Sequence, residues 1–362
     1  MPSGSPGGIS VWGVTSNPAA PTRSRLALSV LAVAVPIVLL LSGCVAEKSS
    51  AAPPSSKPTR TAEPVATQLA PLRGTSVDIG SLENPSLAAK IDNHEGARPQ
   101  IGLERTDIVF EELVEGGLTR YVAVWQSDIP DLVGPLRSIR PMDPDIIAPF
   151  GGIVAYSGGQ ERFIDMMKST GVVNSIFDYD EAGLFYRIDD KESPHDVVVK
   201  APQLVAQHTD LAPPAQQFEY STTVPETSAM LGGNPTGTIN SRFSDSRWPS
   251  WTWSAADTAY LRAQEGEPDL DGAGNQLRAT NVVVLRVDID WTYGEVPKTT
   301  LIGSGEAWIS SGGRSIHATW VKGAQDAAIR LLDDNGVVIR LAPGNTWIEL
   351  VPIDEGSVEL LP

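Results

Sequence analysis

The chain has 362 residues, of which 41% are hydrophobic and 20% are charged, so it can form two domains with sizeable cores. Its 44 acidic residues exceed its 27 basic ones. The resulting formal net charge of −17 argues against a nucleic-acid partner and against electrostatic binding to anionic lipid. The single cysteine excludes a disulfide within one chain, so stability must come from packing of the core.

The first predicted element is a lipoprotein signal. Arg23 and Arg25 precede an apolar run over residues 26–41, which is followed by Ser, Gly and Cys44. A basic region, a short apolar region and small residues predict a cleaved signal peptide over residues 1–43, the alternative being an uncleaved membrane anchor. The Leu-Ser-Gly-Cys motif resembles the bacterial lipobox, in which the cysteine is acylated. Acyl chains on Cys44 would attach the protein to the cell membrane, on its extracytoplasmic face.

A tether is predicted next. Residues 44–75 are rich in Ala, Ser, Pro and Thr and show no apolar periodicity, which is typical of a disordered segment. Removing Arg23 and Arg25 from the 27 basic residues leaves 25 against 44 acidic ones, a formal charge of −19. That charge is compatible with an ectodomain held near the membrane without lying on it.

Two domains are predicted after the tether, and the fold class is α+β. The N-terminal domain, residues 76–222, is a mixed α/β-type domain. Its predicted elements are a β-hairpin over 108–125, a strand over 152–156, a helix over 160–170, strands over 184–188 and 196–200, and a helix over 202–208. The C-terminal domain, residues 223–362, is β-rich because its strand patterns follow one another without long helices. Its main predicted strands cover 281–289, 307–310, 315–321, 328–332, 337–341 and 346–351.

The hairpin is the clearest local pattern. Two strand-like runs, 108–115 and 118–125, are joined by Gly116-Gly117, which is typical of a two-residue turn. That turn would place Glu111 opposite Val122. Alternation then puts Glu111 and Glu112 on opposite faces, with Glu112 on the more apolar one. Alternating glutamates are typical of a solvent-exposed hairpin face.

An anion site is predicted at a proline-rich segment, GPLRSIRPMDPD over residues 134–145, which carries two arginines. Downstream, a Ser-Gly-Gly turn lies between a predicted strand and a helix, where unsatisfied N–H groups bind anions. Two guanidiniums would add bidentate bonds to a carboxylate or phosphate. The predicted ligand-binding residues are Arg137, Ser138, Arg140, Ser157, Gly158 and Gly159. The polar residues predicted around this pocket are Asp92, Asn93, Arg98, Arg120 and Asp143.

Two alternatives remain open for these polar residues. The arginines could pair internally with Glu111, Glu115 or Asp143, as expected in so acidic a chain. An enzyme would use Glu111, Glu112 or His195 as acid and base. Glu111 and Glu115, however, would lie roughly 13 Å apart along a strand, beyond the ~5–9.5 Å of paired-carboxylate glycosidases.

No metal or cofactor is predicted. The sequence contains no HExxH or CxxC motif. The segment EPDLDG, residues 267–272, would need a glutamate at the twelfth position of a calcium loop, where Arg278 stands. Trp248, Trp251 and Trp253 could form a sugar-stacking platform, but aromatic residues that alternate in a strand more often belong to the core.

Several ordered blocks resemble a known family. KIDNHEGARPQIGLERTDIVFEELVEGGLTRYVAVW, GPLRSIRP, AYSGG and SPHDVVV, in that order, are similar to the YerB-like bacterial lipoproteins. NVVVLRVD and PGNTWIELVP resemble the C-terminal portion of that family. The resemblance extends over residues 87–352 and implies a lipid anchor and two domains, without implying an activity.

The sequence therefore favours an envelope lipoprotein that binds an anionic ligand or a protein partner through the arginine-bearing segment. The membrane is the expected partner of the acylated Cys44. Two alternatives are a hydrolase or transferase that acts on cell-wall material, and a structural partner of another envelope protein.

Overall fold

A computed structural model describes residues 66–362 of the protein. The predicted signal peptide, the predicted lipidation site at Cys44 and most of the predicted tether lie outside the described residues. No helix between residues 66 and 362 combines the length and the hydropathy that a membrane crossing requires.

Strands make up most of the regular structure, in agreement with the α+β class. In the first half of the chain they are β1 Thr67–Leu69, β2 Ser76–Asp78, β3 Leu87–Asp92, β4 Ile108–Leu113, β5 Thr119–Trp125, β6 Leu132–Val133, β7 Ile153–Tyr156, β8 Val173–Ile176, β9 Phe185–Arg187 and β10 Val197–Lys200. In the second half they are β11 Glu219–Tyr220, β12 Asn234–Pro235, β13 Thr238–Arg242, β14 Ser250–Ser254, β15 Ala259–Gln264, β16 Glu267–Pro268, β17 Arg278–Ala279, β18 Asn281–Val287, β19 Ile289–Tyr293, β20 Val296–Thr299, β21 Gly303–Ser311, β22 Arg314–Lys322, β23 Arg330–Leu332, β24 Arg340–Leu341, β25 Thr346–Pro352 and β26 Ser357–Leu361. The α-helices are α1 Asp143–Ile147, α2 Glu161–Lys168, α3 Ala201–Ala206 and α4 Ser228–Gly232.

A mixed eleven-stranded sheet forms the centre of the fold. Its order is β12-β22-β21-β18-β25-β4-β5-β3-β7-β8, with β23 paired to β22. Strand β25 pairs in parallel with both β18 and β4, so it joins the two halves of the chain within one sheet. Central strands of such a sheet are covered on both faces and often consist of nearly continuous apolar runs, as β5 and β18 do, whereas β4 also buries Glu111 and Glu112.

Two apolar layers cover the sheet. On one face, side chains such as Val122, Ile348 and Val283 pack against α1 and α2. The amphipathic pattern that predicted a helix over 160–170 is confirmed by α2, which buries Phe163, Ile164 and Met167.

On the other face lie α3 and two smaller sheets. One has the order β6-β10-β9, and the other has the order β16-β15-β14-β13-β26 with β17 paired to β15. The eleven-stranded sheet contains strands from both sides of the domain boundary predicted near residue 222. The boundary therefore does not separate two independent sheets, and it stays a sequence prediction.

The predicted hairpin forms, but with a different register. Glu111 lies opposite Tyr121 rather than Val122, because Glu115 joins the two glycines in a three-residue turn. A one-residue slip between two strands changes which side chains of the pair share a face of the sheet. Every residue of β4 and β5 is buried, so the prediction of a solvent-exposed glutamate face is wrong.

Part of the segment that the sequence assigned to the tether has regular structure. Residues 67–75 were assigned to the disordered tether, yet β1 pairs with β2 and Leu72 is buried in the core. The guanidinium of Arg73 also pairs with the buried carboxylate of Asp107, with Nε 2.8 Å from Oδ1. Composition alone could not reveal these contacts, because each partner lies elsewhere in the chain.

Candidate functional site

The arginine loop, defined as residues 134–142, lies against the carboxyl end of β3. The backbone N–H of Arg137 donates to the carbonyl oxygen of Lys90 at 2.9 Å, and the N–H of Asp92 donates to the carbonyl oxygen of Pro135 at 2.9 Å. The loop is thus hydrogen-bonded to β3, whose last residue, Asp92, is one of the polar residues of the predicted pocket. This contact brings Asp92 and Arg137 together although they are far apart in sequence.

The Ser-Gly-Gly turn holds the arginine loop from the other side. The N–H of Ser157 donates to the carbonyl oxygen of Arg137 at 3.1 Å, so this N–H is not available to a ligand. A Cβ placed on Gly158 would lie 2.0 Å from Oδ2 of Asp178, so an internal carboxylate already lies beside the turn. Anion binding by the exposed Gly159 stays a prediction, and the turn mainly positions the arginine loop.

Arg137 and Arg140 each have an internal carboxylate partner. Nε of Arg137 lies 3.3 Å from Oδ2 of Asp92. Nε of Arg140 lies 2.8 Å from Oε2 of Glu115, one of the partners named as an alternative from the sequence. Both arginine side chains remain partly exposed, so each guanidinium keeps donors that can reach a ligand.

Arg120 differs from its two arginine neighbours. It is 8% exposed, and among residues 66–362 no carboxylate oxygen lies within 4.0 Å of its guanidinium. It donates to the carbonyl oxygen of Ser138 at 3.0 Å, and Arg140 donates to the same oxygen at 3.3 Å. Burial, reinforced by the charges of Arg140 and Arg137, lowers the pKa of Arg120 to about 9. Asp92 and Glu115 act in the opposite direction and raise this pKa, but neither carboxylate is in direct contact with the buried guanidinium.

Beneath the arginine loop lies a buried lysine that sequence reasoning missed. Lys90 forms ion pairs with Glu112 and with Oδ1 of Asp143 (2.8 Å), and all three side chains are fully buried. Desolvation lowers the pKa of Lys90 to about 8. The backbone N–H of Arg140 also donates to Asp143, which links this ion pair to the loop. A single charge within the apolar run LAAKI, residues 87–91, was the available signal for Lys90.

His195 lies beside Asp92 and the arginine loop. Its Nδ1 lies 2.6 Å from Oδ2 of Asp92, and its ring stacks on that of His94 with a centroid distance of 4.3 Å. Arg137 donates to the carbonyl oxygen of Pro194 at 3.1 Å, which adds a contact between the arginine loop and the histidine segment. An aspartate that holds one imidazole nitrogen orients the ring and leaves the other nitrogen free for proton transfer.

The remaining predicted residues lie on the opposite face of the sheet, which corrects the predicted pocket. Glu111 is fully buried and pairs with Arg262, and it accepts a hydrogen bond from Thr119 at 2.6 Å. Asn93 donates to Glu111 at 3.3 Å and accepts from Nε of Arg98 at 3.1 Å. Adjacent residues of a strand point to opposite faces, so Asn93 and Glu111 are separated from Asp92 and Glu112. Neither glutamate candidate for catalysis is exposed to a substrate in solvent.

Arg262 is the centre of this second cluster and was not identified from the sequence. Besides Glu111, it pairs with Oδ2 of Asp269 at 3.2 Å, and its guanidinium lies 5.0 Å from the ring centroid of Trp347. Nearby, Trp251 donates to Glu349 at 2.7 Å. Burial, together with the adjacent Glu111, raises the pKa of Glu349 well above its usual range. This cluster connects strands from both halves of the chain and serves stability.

The three clustered tryptophans separate into core and surface. Trp251 is fully buried, so the core interpretation is confirmed for it. Trp253 is half-buried and packs against the core residue Tyr260, with ring centroids 5.1 Å apart. Trp248 is 45% exposed, which the alternation pattern did not distinguish.

Comparisons with known proteins agree with this architecture. Residues 72–213 match the model of the N-terminal domain of a protein of unknown function, DUF3048, and residues 239–348 match the model of its C-terminal domain. The chain is 26% identical over 310 residues to "Putative lipoprotein YerB" of Bacillus subtilis, an alignment that covers 80% of this chain and 88% of that protein.

The fold is also that of a solved structure. The crystal structure of YerB protein from Bacillus subtilis superposes with a TM-score of 0.70 at 23% identity, covering 81% of this chain and 99% of that one. The resemblance to YerB-like proteins inferred from the ordered sequence blocks is thereby confirmed. The chain belongs to the DUF3048 family, which is described as being of unknown function.

Proposed function

We propose that the protein is a lipid-anchored envelope protein that binds an anionic ligand at the arginine cluster, defined as Arg120, Arg137 and Arg140. The observation that carries the proposal is the buried guanidinium of Arg120, which has no carboxylate partner within 4.0 Å among residues 66–362. A carboxylate or phosphate beside Arg120 and Arg140 would supply the direct anionic contact that Arg120 does not make with Asp92 or Glu115.

The expected location follows from a different part of the chain. Acylation of Cys44 would hold the protein on the extracytoplasmic face of the cell membrane, with the described residues beyond it. This location is supported by the lipobox-like motif and by the similarity to the Bacillus subtilis protein that is named as a lipoprotein. The ligands within reach of such a protein include wall polymers and peptides that carry phosphate or carboxylate groups.

The test is thermal unfolding of the full chain in a polyoxyethylene detergent, which carries neither phosphate nor sugar. Phosphate, citrate and acidic wall fragments would be added to the parent chain, to Arg120→Gln and to Arg137→Ala. A ligand at 100 times its Kd should add about 2.7 kcal/mol to the free energy of unfolding. We expect that gain in the parent chain and its loss in both variants.

Arg330→Ala is the matched control, because Arg330 is an exposed arginine in β23, outside the cluster. Its response to each anion should equal that of the parent chain. If no anion raises the unfolding temperature, or if Arg120→Gln responds as the parent chain does, the proposal fails.

A second candidate is a hydrolase or transferase that acts on cell-wall material. One observation favours it, namely the 2.6 Å contact between His195 and Asp92, which would orient the ring for proton transfer. Release of soluble products from wall material, abolished in His195→Gln and retained in Arg330→Ala, would support this candidate. Equal activity of the two variants, or no activity in the parent chain, would remove it.

A further inference from the structure

A groove on the sheet of β13, β14 and β26 lies outside the arginine cluster. Its volume is about 670 Å³, which lies within the roughly 300–1,000 Å³ of small-ligand sites. Most of its lining residues are polar, although apolar atoms supply the larger part of its surface, and the lining residues used below are Asn240, Arg242, Asp245, Trp248 and Glu359.

Trp248 provides an exposed aromatic surface in this groove. Its side chain is 45% exposed, whereas Trp251, three residues later, is fully buried. The position of Trp248 is set by the neighbouring turn. The backbone N–H of Trp248 donates to Oε1 of Glu265 at 3.4 Å, and a Cβ placed on Gly266 would lie 3.5 Å from the indole ring. A large indole held in place at the edge of a groove lined by polar residues offers a flat face to a ligand at little entropic cost.

The polar side chains around Trp248 are already paired with one another. Asn240 donates to Oε2 of Glu359 at 2.9 Å, and Arg242 pairs with Asp245. These pairs orient amide, guanidinium and carboxylate groups toward the groove, and each retains unused donors or acceptors. Hydroxyl groups of a ligand can donate to the carboxylates and accept from the amide and the guanidinium.

Charge indicates which kind of ligand fits. The groove carries one cation, Arg242, and two carboxylates, Asp245 and Glu359, so its local charge is negative. An anionic polymer would be repelled, whereas a neutral molecule with many hydroxyl groups and an apolar face would not. A pyranose ring has both features, because its C–H groups can stack on an indole while its hydroxyls bind the polar side chains. We propose that this groove binds a neutral glycan chain, with Trp248 as the stacking residue.

This site is independent of the proposed anion site. None of its lining residues belongs to the arginine cluster, and the chemistry of the two ligands differs. Loss of anion binding in Arg120→Gln would therefore leave glycan binding intact.

The experiment is isothermal titration calorimetry of the full chain in a polyoxyethylene detergent. The probes are neutral oligomers of N-acetylglucosamine and of glucose, with polygalacturonate fragments as the anionic comparison. The variants are Trp248→Ala and the matched control Trp291→Ala, since Trp291 is 50% exposed and does not line the groove. Circular dichroism is used to check that both variants, each at an exposed position, remain folded.

We expect a neutral oligomer to bind the parent chain and Trp291→Ala equally. Affinity for Trp248→Ala should fall about tenfold or more, as for other ligands that stack on one aromatic ring. Asn240→Ala should weaken binding to a smaller extent. The proposal is overturned if no neutral oligomer binds at millimolar concentration, if the two tryptophan variants bind alike, or if only the anionic fragments bind.

Discussion

Replacing Arg262 by methionine tests whether the buried ion cluster between the two halves of the chain holds the fold together. Arg262 is fully buried, pairs with Glu111 and Asp269, and donates to Gln264 at 2.8 Å. Methionine has a similar length and can still pack against Trp347, so the change removes mainly charge and hydrogen bonds.

The expected loss can be worked out from these contacts. Removing one partner of a buried ion pair costs about 3–5 kcal/mol, because the remaining charge is left without compensation. Here both Glu111 and Asp269 lose their cation. Since folded proteins are stable by only about 5–15 kcal/mol, Arg262→Met should lose a large fraction of the free energy of unfolding.

The assay is urea unfolding of the full chain in detergent, followed by tryptophan fluorescence. Urea is preferred to guanidinium chloride because an ionic denaturant would screen the charges under study. Arg330→Met, a change at an exposed arginine in β23, is the control and should stay within about 0.5 kcal/mol of the parent chain.

A double variant separates charge from packing. Glu111→Gln removes the carboxylate that Arg262→Met leaves uncompensated. The two losses should therefore combine to about 2 kcal/mol less than their sum. Additive losses, or a loss below about 1 kcal/mol in Arg262→Met, would show that the cluster does not carry this energy.

Two further predictions concern a buried carboxyl group and a close backbone contact. The pKa of Glu349 is raised by burial and by Glu111, so the carboxyl group stabilises the fold below its unfolded pKa of about 4.3 and loses that contribution as the pH rises. Glu349→Gln should therefore gain stability relative to the parent chain between pH 5 and pH 8 in urea titrations, and a pH-independent difference would contradict this. Gly74→Ala should be more destabilising than Gly80→Ala in the same titrations. Both glycines have positive φ, but only a Cβ on Gly74 would overlap a side chain, lying 2.1 Å from Cγ of Tyr220, and equal losses would contradict this reasoning.

Much of the local structure could be predicted without coordinates. The Gly116-Gly117 turn indicated a hairpin, and the pattern of Phe163, Ile164 and Met167 indicated the buried face of α2. The dipeptide Asn335-Gly336 is typical of a turn and does form one, in which the N–H of Gly336 donates to the carbonyl oxygen of Asp333 at 2.9 Å. These features depend on contacts within a few residues, so turn chemistry and periodicity are enough to identify them.

The candidate site was only partly predictable, because some of its contacts join residues that are far apart in the chain. The arginine loop and the Ser-Gly-Gly turn were recognised as neighbours, and they do contact each other. Asn93 and Arg98 were placed in the same pocket, although strand alternation puts Asn93, and Arg98 bonded to it, on the other face. The partners that decide this, above all Arg262, lie more than a hundred residues away in the chain.

The sequence by itself determined the family, the lipoprotein signal as a prediction, the α+β class and the positions of the main strands, because each is encoded in a contiguous pattern. Only the tertiary structure decided that both faces of β4 are covered. It also showed that Glu111 pairs with Arg262 on one face and Glu112 with Lys90 on the other, all four buried. Among residues 66–362, Arg120 has no carboxylate oxygen within 4.0 Å. Whether a charge is paired depends on strands brought together from distant parts of the chain, and no local pattern records that contact.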